Sequence, residues 1–88
     1  MKIEKRTRIL FEGYARAHPA IQAAMAGGMD INAAVLFMKE NCPPVIDAVV
    51  EHTQASLAAG HKMAHTRAGM YGESLDDETM KLFDRPPR

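Results

Sequence analysis

The chain has 88 residues, eleven basic and eleven acidic side chains and no net charge, and a single cysteine, Cys42. A domain this small has a marginal core unless something staples it, and the lone cysteine excludes a disulfide within one copy. Neutrality removes the electrostatic footprint of a nonspecific nucleic-acid binder, no run of about 18 apolar residues crosses a membrane, and the basic start MKIEKRTRILFEGY lacks the apolar stretch of a signal peptide.

Residues 2–17 predict a first helix. Ile3, Thr7, Leu10, Phe11, Tyr14 and Ala17 recur at three- and four-residue spacing as an apolar stripe, while Lys5, Arg6, Arg8, Glu12 and Arg16 fall on a solvated face. His18 before Pro19 interrupts it, because the residue ahead of a proline is pushed out of helical geometry. Pro19 then opens a short helix, PAIQAAMA, which Gly27 and Gly28 stop.

Asp30 is the expected N-cap of a third helix over residues 31–41. Ile31, Ala34, Val35 and Met38 share one face, but Leu36 and Phe37 point elsewhere, so this helix is apolar nearly all round. Such a helix is buried on most sides. One small subunit scarcely provides that cover, which predicts that a second copy or a partner covers part of it, with Leu36, Phe37 and Met38 as the candidates for self-association.

NCPP at 41–44 is a break whose prolines start a long fourth helix, about 44–70. Val45, Ile46, Val49, Val50, Thr53, Leu57, Ala64 and Ala68 define its buried side. Gly60 lies on the same side, where it suits close helix packing. Ser74 and Asp77 have the spacing of a capping box for a last short helix carrying Leu75, Met80, Leu82 and Phe83. The expected fold is therefore all-α: a small bundle of four to five helices over residues 1–84, completed by homodimerisation, with a loose tail at 85–88.

The stretch EHTQASLAAGHKMAH holds three of the four histidines. On a helix His61 and His65 are four residues apart and project together, the minimum for two metal ligands, whereas His52 turns to the opposite side. Zinc asks for three or four ligands and nothing in one chain completes the set, so a metal site needs His61 and His65 from two copies across an interface. Cys42 beside a helix N-terminus is a conceivable nucleophile, but it lacks a base held by a third group; a small, partly buried apolar role is the expectation. No cofactor is implied.

The outline PAIQAAMA, turn, INAAVLFMKEN also matches a helix-turn-helix. Its second helix is too apolar to read base edges. A DNA-binding footprint would instead use Lys2, Lys5, Arg6 and Arg8, doubled in a dimer.

What remains is an excess of apolar and adaptable surface, with seven methionines and aromatic rings spread over several helices. The principal expectation is a cytoplasmic, non-enzymatic protein–protein interaction module: a homodimeric helical adaptor, inhibitor or regulator. Arg8, Phe11 and Tyr14 are its candidate partner contacts, aromatics and arginine being favoured anchors. Compact, neutral, motif-free helical chains are also typical products of bacterial accessory genes and phages, with a host protein as target. A dimeric DNA-binding regulator and a metal-binding helical protein are the alternatives.

Overall fold

Proline, glycine and capping side chains divide the chain into helices. The computed structural model describes residues 5–60 and 74–83, and every regular element among them is helical, with no strand. The helices are α1 Lys5–Ala17, α2 Pro19–Ala26, α3 Ile31–Asn41, α4 Pro43–Ala58 and α5 Asp77–Met80, the last running into a 3₁₀ turn at Lys81–Phe83. No described helix is long and apolar enough to cross a membrane.

The first three junctions follow the local chemistry. His18 takes extended geometry and caps α2, its Nδ1 accepting the Ala20 N–H at 3.1 Å, with Pro19 at the first helical position. Gly28, at φ 111°, turns the chain out of α2 where a side chain would be strained. Asp30 caps α3 as expected, its Oδ1 accepting the Ala33 N–H at 2.8 Å.

The fourth helix is shorter than its sequence pattern predicts. It ends at Ala58, and Gly60 adopts φ 70°, the left-handed conformation that follows a helix C-terminus. Among the described residues a Cβ at Gly60 would meet nothing within 4 Å, so it is the positive φ of a turn that calls for glycine here. Ala64 and Ala68 lie outside the described residues.

The last helix starts later than the Ser74 box implies. Asp76 is the N-cap, with its Oδ1 accepting the Thr79 N–H at 2.8 Å, because Ser74 is already committed to a turn whose carbonyl binds Asn32. Leu75 and Met80 then occupy the two staple positions flanking the cap, and both are buried.

Phe11, Ile21, Val35, Ile46, Val49 and Met80 centre the core, each at most 3% exposed. Fully burying a side chain of this kind contributes about 1.5–3 kcal/mol. α1 packs on α2 and α4, and α3 packs on α2, α4 and α5. The helix covered on most sides is α1, not α3: Ile9, Leu10, Phe11, Glu12 and Ala15 are all buried, whereas α3 leaves Leu36 and Phe37 exposed. Residues 74–83 account for this, since they lie over the side of α1 that looked solvated.

Candidate functional site

The most elaborate polar arrangement surrounds Leu75. Its N–H donates to Glu12 Oε1 at 3.1 Å, and its carbonyl accepts from Arg8 Nη1 at 2.7 Å. The Asn32 amide straddles the same residue: Nδ2 donates to the Ser74 carbonyl at 2.8 Å, and Oδ1 accepts the Asp76 N–H at 2.9 Å. Two consecutive peptide units are thereby satisfied by side chains of α1 and α3 while the Leu75 side chain is 2% exposed. Reading both peptide groups and burying the intervening side chain is how an extended peptide is held.

Glu12 anchors this arrangement and is itself fully buried, its Oε2 accepting from Arg16 Nε at 2.9 Å. Two ligands on one carboxylate offset the cost of removing it from water. Arg8 Nη2 also meets Asp77 Oδ1 at 2.6 Å, but the Asp77 side chain is 92% exposed, so that ion pair contributes little. At Asp76 the Thr79 N–H, helped by the nearby Thr79 hydroxyl and the Arg8 guanidinium, holds the carboxyl below its ordinary range. The Thr79 Oγ1 is buried without a hydrogen-bond partner among the described residues, so the Thr79 N–H is the contact that holds the Asp76 carboxylate.

The structure separates the expected partner contacts. Phe11 is fully buried, edge-to-face with Phe83 at a centroid distance of 5.0 Å, and presents no surface to a partner in this conformation. Arg8 is engaged with residues 75 and 77. Tyr14 alone borders an open groove, of about 390 Å³, with Ala17, His18, Pro19, Ala48, Val49 and His52. Its ring meets His52 at 4.2 Å and 70°, and its hydroxyl lies 2.7 Å from Ser56 Oγ. His18 accepts through Nδ1, so its neutral ring carries the proton on Nε2.

On α3, Leu36 and Phe37 are 37% and 41% exposed, while Met38 is half-buried against the core. Of the basic set, Lys5 is exposed, Arg6 is half-buried and engaged, and Lys2 lies outside the described residues. His61 and His65 also lie outside them. Among the described residues no three His, Cys, Asp or Glu side chains are grouped to hold a metal. Cys42 is exposed at the N-cap of α4, without a side-chain capping bond, and not the partly buried residue expected.

Glu12, Asn32 and Leu75 were not legible as a site. Asn32 gave a weak signal, a polar residue in the first turn of an apolar helix; the burial of Glu12 gave none, because its partner is 63 residues away.

No family model matches the chain, and no solved structure matches it. Among curated proteins, transaldolases of Mycobacterium tuberculosis and Mycobacterium bovis are 30% identical to it over 69 residues. The match covers 76% of this chain, which spans only 18% of the length of those relatives.

Proposed function

We propose that this chain is a helical protein–protein interaction module, a homodimeric adaptor or regulator that works by binding and performs no chemistry of its own. The observation that carries the reading is the pair Leu36 and Phe37 on α3. They are the exposed large hydrophobic side chains among the described residues, whose other large apolar groups are buried or half-buried. The occupant of this face is a second copy of the chain. Two copies carry no net charge and meet without repulsion. Lys39 and Glu40, exposed neighbours of opposite sign, give the face the self-complementarity that a two-fold contact needs.

Sedimentation equilibrium tests this. Wild type is expected to dimerise, and Phe37→Asp to be monomeric with unchanged helix content, because Phe37 already stands outside the core. A variant that dimerises as wild type does removes α3 as the interface.

The likeness to mycobacterial transaldolases supports a second reading, in which the chain corresponds to a helical part of such an enzyme and not to its whole. Its test is a transaldolase assay of the purified chain, alone and added to an intact transaldolase. An effect only on the intact enzyme fits this reading; no effect in either setting removes it.

A further inference from the structure

His18 joins two helices by three hydrogen bonds, and one of them depends on the state of its ring. Its N–H donates to the Ala15 carbonyl at 3.1 Å, its carbonyl accepts the Gln22 N–H at 2.9 Å, and its Nδ1 accepts the Ala20 N–H at 3.1 Å. We propose that His18 is a proton-operated latch at the α1–α2 corner: its neutral ring holds the first turn of α2, and protonation releases it. The proposal stands on residues that the dimeric reading does not use.

The choice of capping group makes this corner sensitive. Asp30 and Asp76 cap α3 and α5. A carboxyl group keeps an acceptor oxygen whether or not it carries a proton, whereas imidazole has one acceptor nitrogen when neutral and none when charged. Histidine is also the side chain whose charge ordinarily changes between about pH 5 and 8. Pro19 has no N–H, so Ala20 supplies the first backbone donor of α2, and the His18 ring is its acceptor. A protonated ring would set N–H against N–H across the 3.1 Å between the two nitrogens. It would also place a positive charge at the positive end of the helix. The ring therefore has to turn away from Ala20.

The groove beside it offers no counter-charge among the described residues. His18 is half-buried on this groove, and the ionisable groups that share it are Tyr14 of α1 and His52 of α4. Those two rings are already in contact with one another at 4.2 Å. No charged residue occurs in α2, and no described residue of α3 lines the groove. Arg16, near the end of α1, is held by Glu12 at 2.9 Å. Asp47 and Glu51 precede Ala48 and His52 along α4 without lining the groove. A phenol and a second imidazole thus border the space into which the charged ring turns. Acidification unlatches the first turn of α2 and moves the His18 ring, while the two main-chain bonds of His18 keep the corner joined.

Nuclear magnetic resonance of the full nitrogen-labelled chain tests this. Long-range proton–nitrogen spectra report the tautomer and charge of each imidazole, and a nitrogen–nitrogen coupling across the hydrogen bond reports the latch. At about pH 8, where histidine is ordinarily neutral, His18 is expected to carry its proton on Nε2 and to show the coupling to the Ala20 nitrogen. On acidification the coupling should vanish, and the Ala20 amide shift should move with the same midpoint as the His18 ring. Absence of the coupling, an Nδ1–H tautomer, an Ala20 amide indifferent to the charging of His18, or a ring that stays neutral until the chain unfolds overturns the latch. His18→Asn supplies a good cap that does not titrate and should flatten the Ala20 response, whereas His52→Gln should leave it in place. A response that survives His18→Asn, or disappears with His52→Gln, belongs to His52 and likewise overturns the proposal.

Discussion

Glu12 reaches Leu75 across 63 residues of sequence, its Oε1 accepting the Leu75 amide proton at 3.1 Å while Arg16 Nε holds Oε2 at 2.9 Å. The carboxylate is fully buried, so its loss leaves the buried Leu75 N–H without its acceptor and takes one partner from the Arg16 guanidinium. Glu12→Ala is expected to cost roughly 2–3 kcal/mol, chiefly as unmet desolvation. Glu12→Gln keeps an oxygen for Leu75 but turns an amide NH2, a donor, toward the Arg16 Nε–H, whose 29% exposure lets water replace the lost acceptor. That variant should lose about half as much. Urea unfolding monitored by circular dichroism measures both, and an alanine variant within about 0.5 kcal/mol of wild type would contradict the burial.

The contrast between Glu12 and Asp30 shows what the sequence could disclose. Asp30 acts on Ala33, three residues away, and Pro19, Gly28 and Pro43 likewise act on their own neighbours; the bounds of α2 and α3 and the start of α4 were therefore readable. Glu12 acts on a segment near the other end of the chain, so periodicity placed it on a solvated face. The same long-range contact buries α1 on most sides and leaves α3 with an open one. Gly60 is intermediate: a glycine on an apolar helical stripe fits either close packing or a terminus, and only its φ decides between them.

Asn32 and Glu12 hold adjacent peptide groups of one segment, and their effects should not add. Asn32→Ala removes a donor to Ser74 and an acceptor from Asp76, at an expected cost of roughly 1–2 kcal/mol. Once either substitution has loosened residues 74–76, the other has less to disrupt. The double variant should fall short of the sum by roughly 0.5–1 kcal/mol. A strictly additive cycle would show that the two side chains hold the segment independently.

Gly60 and Gly27 separate backbone strain from crowding. At Gly60 a methyl group meets none of the described residues within 4 Å, so the expected cost of Gly60→Ala, roughly 1–2 kcal/mol, is that of the left-handed backbone. Gly60→Asn should recover part of it, since asparagine tolerates that region better. At Gly27, with φ −77°, a Cβ would lie 3.4 Å from the Ala24 carbonyl oxygen, an ordinary contact on ordinary backbone. Gly27→Ala should therefore stay within about 0.5 kcal/mol of wild type. Equal losses at the two positions would refute the strain account; thermal melts of the three variants decide it.

Asp76 gives the C-terminal segment a dependence on pH. The Thr79 N–H, the Thr79 hydroxyl and the Arg8 guanidinium favour its charged form, so its folded pKa lies below the unfolded value. A carboxyl shifted this way stabilises the fold above the unfolded pKa, about 3.9, and the contribution disappears as pH falls through the lower folded value. Asparagine is also a good N-cap and keeps the acceptor oxygen, but it neither titrates nor attracts Arg8. Wild type is therefore expected to exceed Asp76→Asn in stability at neutral pH, with the gap unchanged down to about pH 5 and closing below about pH 4. The other carboxylates, Glu12 included, are common to both chains and cancel in the difference. Urea titrations of the two proteins at matched pH values measure the gap, and one that persists undiminished at about pH 2.5 would mean that the Asp76 charge has no part in holding α5.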